Sequence, residues 1–442
     1  MTHVVVLGGG STGEHFVGAL RRLDPDVDIT LVETRLVGGE CTYYACIPTK
    51  TMLRSVELAA ALEHAPSFLP EQPQEEGVWE WRDWATDNWD DAAQLAFLEK
   101  NGTNFVRGYG RVVRPGVIEV EDGPELEYDR LVIATGSAPA IPPIDGLDSV
   151  DYWTNEDAAR THSITKRLAI LGGGPVGAEF AQFFARMGSK VTIVEHGPRL
   201  LGRVHEEAGA LIADVFRAEG IDVRLSTDGV RVEPGVRLSL SDGSTVEADT
   251  LLLATGRRLH VEGLGLEDLG LTFGPHGICV DGRMRAGENV WAIGDVTGVA
   301  LFTHMGKYQA RIAAKDIAGR PVEADYRAIP AGIFTDPEVA TVGRTDGDGL
   351  VSARWELTAT SRMATYEKPK RESFVRLFAD PDERVLVGAV AVGPQATEWL
   401  GQLTLAVRAA VPIDTLLDTI QPFPSFSEGI FWCLRDLADL LP

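Results

Sequence analysis

The sequence predicts an α/β chain with two Rossmann-like dinucleotide-binding domains followed by a smaller α+β domain. Three observations carry this. The order apolar strand, glycine turn, helix, strand, acidic residue occurs twice, as "VVVLGGGSTG" with "DITLVE" and as "LAILGGGPVG" with "KVTIVE". Each copy ends downstream in a strand plus "ATG", at 131–137 and at 251–257. From residue 326 the texture changes to the β-rich segments "FVRLFA" and "VLVGAVAV", then to the helical run "ATEWLGQLTLAVRAA" and a proline-marked loop, "IQPFPSFSE".

Each glycine of the repeated turn has its own reason. Gly8 and Gly172 make the tight turn, Gly10 and Gly174 let the backbone approach a pyrophosphate, and Gly13 and Gly177 allow the helix to pack closely on the strand. The pyrophosphate then rests on the free N–H groups and positive end of the helix. Glu33 and Glu195 close the second strand of each copy, where a carboxylate accepts hydrogen bonds from a ribose diol and repels a 2′-phosphate. Glu195 therefore favours NAD(H), with NADP(H) the second choice because Arg199 follows closely. A single glycine-rich turn is weak evidence, but two copies with strand, helix, acid and distal "ATG" define two dinucleotide sites.

Length and composition narrow the function. A chain of 442 residues holds two to three domains, each able to bury its own core. The 41 basic and 65 acidic residues give a formal charge of −24, which disfavours nucleic acid and anionic membranes as partners. No apolar run is long enough to span a bilayer, and the strand beginning at His3 is expected to leave no space for a signal peptide, so the cytoplasm is the expected compartment. Four cysteines are too few for a secreted disulfide framework, and only Cys41 and Cys46 lie close together. In a reducing compartment such a pair is metal-binding or catalytic, and no second Cys or His pair with zinc-like spacing supports metal.

After the second "ATG" the chain returns to the theme of the first copy. "ENVWAIGDVTG" reads as a strand ending in Gly294 and Asp295, followed by the helix-like "HMGKYQARIAAKDIAG". The tryptophan-rich stretch "VWEWRDWATDNWDDAAQLAFLEK" reads as an amphipathic helix with its approach, in which Trp79, Trp81, Trp84 and Trp89 serve packing.

Taken together, "GGGSTG", "GGECTYYACIPTK", "ATGS", "GGGPVGAE", "ATGR", "AIGD" and "FTDPEVATVG" resemble the class I pyridine nucleotide-disulfide oxidoreductases, the family of glutathione reductase, dihydrolipoyl dehydrogenase and mercuric reductase. The resemblance implies an FAD-binding domain (1–148), an inserted NAD(P)-binding domain (149–281), a return to the FAD domain (282–325) and an interface domain (326–442) that builds a homodimer. It implies FAD contacts at Gly8, Gly10, Ser11, Gly13 and Glu33, and further contacts at Gly39, Thr42, Thr135 and Gly136. Gly294, Asp295 and His304 complete the flavin side; Gly172, Gly174, Gly177, Glu195 and Gly256 belong to the nicotinamide cofactor. Cys46 would be the thiol against the flavin and Cys41 the interchange thiol facing substrate. Lys50 would pair with Glu179 beside the flavin N5.

Residues five apart on an ideal helix are separated by about 7.5 Å of rise and point in different directions, so they cannot bridge. The backbone between Cys41 and Cys46 is therefore expected to leave the helix. Gly38 and Gly39 loosen its approach, and Pro48 favours a fresh helix start near Cys46, which would lend that sulfur thiolate character.

One part of the family pattern is missing. Disulfide-reducing members carry "HPTxSE" near the C-terminus, with a His that serves as the acid-base group and a Glu that orients it. This chain has "FPSFSE", with Phe423 in the His position and Glu428 retained, and its last histidine is His304. Mercuric reductases use a vicinal cysteine pair at the C-terminus, whereas here Cys433 stands alone and is expected to pack. The sequence thus implies hydride transfer from NAD(P)H through flavin to the Cys41–Cys46 pair and on to a small-molecule acceptor needing no imidazole: a quinone, an electrophile, an oxidant, a soft metal ion or an activated disulfide. The alternatives are a flavin-bound redox sensor or assembly partner with little turnover, and a mercuric-reductase-like or thiol-disulfide reductase.

Overall fold

The computed structural model describes residues 2–69 and 71–442. The chain forms two compact units, one of Met1–Pro48, Trp81–Ala140 and Gly256–Asp325, the other of Thr49–Glu80, Ile141–Thr255 and Tyr326–Pro442.

The first unit is built on a six-stranded sheet in the order 285–287, 290–292, 130–133, 3–7, 28–33, 104–107. All pairings are parallel except the antiparallel edge formed by Arg285–Gly287. His3–Leu7 sits in the middle, and Val4, Val5 and Val6 are fully buried, as a parallel strand covered on both faces requires. Parallel neighbours need a crossover, supplied by the Ser11–Leu23 helix. That helix buries Phe16, Val17 and Leu20, and Gly306 of the Thr303–Ile317 helix lies so near Thr12 that a β-carbon there would meet its hydroxyl at 2.0 Å.

The second unit repeats the plan in a four-stranded parallel sheet, ordered 222–224, 190–194, 167–171, 250–253. The Pro175–Arg186 helix packs on it with Phe180, Phe183 and Phe184 buried, together with Met52, Val56 and Trp79. The last segment forms a five-stranded antiparallel sheet, ordered 330–333, 338–343, 385–393, 374–380, 351–356. Helices Ala396–Arg408 and Glu428–Asp439 share a core with it. The strands and helix read from "FVRLFA", "VLVGAVAV" and "ATEWLGQLTLAVRAA" thus form where the pattern placed them.

The tryptophan-rich stretch departs from its reading. Two helices, Glu75–Ala85 and Ala92–Lys100, are separated by a turn at Asp87, Asn88 and Trp89 whose φ values of 50°, 52° and 57° are left-handed and cannot continue a helix. Trp79 is buried, but Trp81 is 40% and Trp84 73% exposed, so the packing role fails at both. Trp79, Trp81 and Trp84 lie on the first helix and Trp89 in the turn, while the second helix carries no tryptophan.

Candidate active site

Both glycine turns adopt the same geometry. Gly8 (φ 103°) and Gly172 (φ 105°) occupy backbone that other residues avoid, and a β-carbon on them would lie 2.3 Å from the Ala134 carbonyl oxygen and 2.2 Å from that of Ala254. The carbonyl oxygens of Gly8 and Gly172 would in turn meet a β-carbon on Gly13 or Gly177 at 2.0 and 1.9 Å. The middle glycines differ: the nearest atom to a β-carbon on Gly10 is Gly39 Cα at 3.9 Å, and Gly174 has nothing within 4 Å. That open side faces the start of a helix whose N-terminal N–H groups receive no side-chain cap, at Ser11 and at Pro175. Close backbone approach beside free N–H donors suits a pyrophosphate, so both turns fit a dinucleotide.

The acids fit as well. Glu33 Oε2 accepts the Gly9 N–H at 2.7 Å, and Glu195 Oε2 accepts the Gly173 N–H at 2.5 Å. The other Glu195 oxygen accepts from Gly197 at 2.6 Å, which fixes the carboxylate at the end of its strand. Arg199 donates instead to the Gly202 carbonyl at 3.1 Å.

The cysteine segment is stacked on the first turn. Gly38 N–H donates to the Gly9 carbonyl at 2.9 Å, and a β-carbon on Gly39 would meet Gly10 Cα at 2.6 Å. Only glycine fits this approach. From there a short helix, Gly39–Tyr43, carries Cys41, with Thr42 Oγ1 donating back to the Gly38 carbonyl at 3.1 Å. It ends at Tyr44, and a new helix, Cys46–Glu63, begins at the second cysteine. The break expected between the cysteines is present. It brings their Cα atoms to 4.6 Å, and they are joined as a disulfide. Thr303 Oγ1, at the start of its own helix, lies 3.5 Å from the Cys46 sulfur. The adjacent His304 is exposed and stacks on Phe302, centroids 5.1 Å apart.

Glu40, just before Cys41, forms a two-pronged ion pair with Arg257, of the "ATGR" run. Arg257 Nε also donates to Ser137 Oγ at 2.7 Å, and that hydroxyl donates to Asp295 Oδ2 at 2.6 Å. Burial pushes the Asp295 carboxyl above its usual range, against the pull of Ser137 and Arg257. Thr135 and Gly136 are bound to His260, through Thr135 Oγ1 to its carbonyl at 2.7 Å and through its N–H to the Gly136 carbonyl at 3.0 Å. Gly294 donates its N–H to Gln309 Oε1 at 2.7 Å, and Gly256 accepts from Ala140 N–H at 2.9 Å. Glu40, Ser137, Arg257 and Thr303 were not singled out in the sequence. The first three lie inside or beside quoted motifs, while Thr303 carries no signal beyond its place next to His304.

The second unit holds a separate pair. Lys50 Nζ donates to Glu179 Oε2 at 2.6 Å, and Glu179 Oε1 accepts the Phe334 N–H at 2.9 Å. Glu179 is buried, so its charge is balanced by one cation and one backbone dipole. Its helix is held by Gln182, which exchanges two hydrogen bonds with the Asp336 backbone, and by Arg186, which pairs with the Asp336 carboxylate at 3.0 Å. Near the C-terminus, Glu428 Oε1 accepts from Trp432 on its own helix at 3.3 Å, while Phe423 is 72% exposed. Cys433 is fully buried and donates to the Ala353 carbonyl at 3.3 Å; burial pushes its thiol up to about 12. Among the described residues there is no group of three or more His, Cys, Asp or Glu side chains placed to hold a metal ion, and no helix long and apolar enough to cross a membrane.

The sequence profile described as pyridine nucleotide-disulphide oxidoreductase matches residues 2–317, and that of the same family's dimerisation domain matches residues 329–433. Among curated relatives, dihydrolipoyl dehydrogenase of Thermus scotoductus is 33% identical over 97% of this chain and 95% of its own. Mercuric reductase of Shigella flexneri is 32% identical over 97% of this chain and 79% of its own. Of solved structures, LpdA from Mycobacterium tuberculosis superimposes with a TM-score of 0.89 at 26% identity, covering 99% of this chain and all of that one. The HOCl-induced flavoprotein disulfide reductase RclA from Escherichia coli gives 0.86 at 24% identity over the whole of both chains, a likeness of fold. The chain therefore belongs to the pyridine nucleotide-disulphide oxidoreductases, as an FAD-dependent enzyme that uses NAD(P)H and carries a redox-active cysteine pair, Cys41–Cys46.

Proposed function

We propose that the enzyme passes reducing equivalents from NADH to the Cys41–Cys46 pair and on to a small electrophilic or oxidising acceptor that needs no imidazole base. FAD, when bound, supplies the two-electron relay between nicotinamide and thiols. The first glycine turn and Glu33 would hold FAD, with Asp295 at its ribityl or pyrophosphate side; the second turn and Glu195 would hold the nicotinamide cofactor. The four-segment division at 148, 281 and 325 follows these ligand sites, and residues 326–442 form the face of a homodimer. Lys50 and Glu179 serve the hydride-accepting position. Cys46 heads an eighteen-residue helix, whose positive end favours its thiolate form after reduction. Cys41 is the thiol offered to the acceptor.

The observation that carries this reading is the C-terminal segment. An exposed Phe423 stands in the position of the family's acid-base histidine, and Glu428, its orienting partner elsewhere, is bonded to Trp432. Loss of a general acid-base group typically costs 10²- to 10⁴-fold, which sets ordinary low-molecular-weight disulfides aside and favours acceptors such as quinones and reactive oxidants. Delivery of a soft metal by C-terminal thiols is opposed by the burial of Cys433.

The test is rapid-mixing reoxidation of NADH-reduced holoenzyme against glutathione disulfide, lipoamide, quinones, hypohalous oxidants and Cu(II) or Hg(II), with wild type and Cys41→Ser compared. Fast reoxidation by lipoamide or glutathione disulfide would sink the proposal. Equal rates in both proteins would move electron exit away from Cys41. Slow reoxidation by every acceptor would favour a redox sensor.

A further inference from the structure

The Gly39–Tyr43 helix has only five residues, too few to hold Cys41 in place by its own hydrogen bonds. The tryptophan-rich segment grips it on both sides. On the exit side, Trp89 Nε1 donates to the Tyr43 carbonyl at 3.1 Å, and the buried Tyr43 hydroxyl donates to Gln94 Oε1 at 3.0 Å with the Asp90 carbonyl at 3.2 Å. On the approach side, Asp91 Oδ2 accepts the Val37 N–H at 2.8 Å and is itself held by Arg107 at 2.6 Å. Arg82, fully buried, places its guanidinium 5.0 Å from the centre of the Trp89 ring and donates to Asp83 Oδ1 at 2.6 Å. Burial, with Asp91 and Asp87 nearby, pushes the Tyr43 hydroxyl well above its ordinary value and keeps it a donor.

The grip is held at a conformational cost. Asp87, Asn88 and Trp89 are consecutive left-handed residues without a glycine among them, a backbone that persists only where surrounding contacts determine it. Those contacts include the Trp89 N–H to the Thr86 carbonyl at 2.9 Å and the indole bond to Tyr43. The first closes the turn itself, and the second ties the turn to the helix that carries Cys41.

We infer that Trp89 is a positioning residue for the redox pair, acting through Tyr43 to hold Cys41 within bonding reach of Cys46 when the pair is reduced. Such a clamp raises the effective concentration of one thiol at the other and so favours the disulfide. The inference rests on Cys41–Cys46 as the working redox pair.

The experiment equilibrates holoenzyme with mixtures of reduced and oxidised dithiothreitol and counts free thiols by alkylation. Each exchange moves two electrons and two protons: the protein disulfide becomes two thiols as dithiothreitol closes to its cyclic disulfide. Trp89→Phe keeps the ring over Arg82 and removes the indole donor; Tyr43→Phe removes only a hydroxyl from a filled site. Both are expected to weaken disulfide formation about tenfold, a midpoint about 30 mV less negative. An unchanged midpoint in either folded variant, even with a lowered melting temperature, would reduce the contacts to packing and overturn the inference. A wild-type Cys41–Cys46 pair that takes up no electrons would instead overturn the redox reading beneath it.

Discussion

Lys50 Nζ lies 2.6 Å from Glu179 Oε2, and the two side chains differ sharply in exposure, 33% against 4%. The pair is therefore asymmetric: the lysine can be solvated if its partner is lost, whereas the carboxylate cannot. Lys50→Met is expected to destabilise the protein by about 2 kcal/mol, because it leaves a buried charge with only the Phe334 N–H for company. Glu179→Gln keeps an acceptor for that N–H and should cost less. Urea unfolding of both variants, each with FAD bound, checks the order; the reverse order would show that Glu179 is not the constrained partner.

Cys46→Ser is expected to abolish the long-wavelength thiolate-flavin band that appears when the enzyme is reduced anaerobically with NADH, and Cys41→Ser to retain it. Retention of the band in Cys46→Ser would exchange the two assignments.

Glu195→Ala should lower the ratio of kcat/KM for NADH to that for NADPH by about tenfold, equivalent to about 1.4 kcal/mol. Part of the effect is a poorer NADH site, since the carboxylate also fixes the Gly173 and Gly197 N–H groups. A ratio that does not move would place nucleotide choice elsewhere.

Asp336 is expected to contribute to acid stability. Burial opposes its ionisation, but Arg371 at 2.7 Å and Arg186 at 3.0 Å outweigh it and hold the carboxyl below its usual range. A carboxyl depressed in the folded state gives its full stabilisation above the unfolded value, about 3.9, and loses it as pH falls through the lower folded value. Asp336→Asn should cost about 2 kcal/mol at pH 7, since it removes the shared anion while Arg186 keeps Glu219 and Arg371 keeps Glu367. It should also flatten the loss of stability below pH ~4. Thermal melts of both proteins between pH 3 and 7 would refute this by keeping the same acid slope.

In reduced native protein, iodoacetamide should modify exposed Cys279 and spare Cys433, whose thiol is buried and raised to about 12. Rapid labelling of Cys433 would reopen a metal-delivery role.

Much of the site was legible because its residues answer to local rules. A glycine in a left-handed or close-contact position is replaceable by nothing else, so Gly8, Gly13, Gly172 and Gly177 could be read directly, and Pro48 with Gly38 and Gly39 announced a broken helix at the cysteines. Glu40, Arg257 and Ser137 went unread because each is ordinary in its own segment. Their meaning comes from a network that joins positions far apart in the chain. Thr303 was missed for the same reason.

The sequence by itself determined the two parallel-sheet halves, the dinucleotide turns, the proximity of the cysteines and the missing imidazole, since backbone sterics and the inventory of side chains settle these without long-range contacts. The tertiary structure alone decided that Glu179 is anchored from Phe334, that Asp336 bridges two arginines, and that Trp89 grips Tyr43 across a left-handed turn. Hydrogen bonds and ion pairs of this kind depend on where distant segments meet, and in a folded chain that is set by the packing of whole elements rather than by the pattern within any one of them.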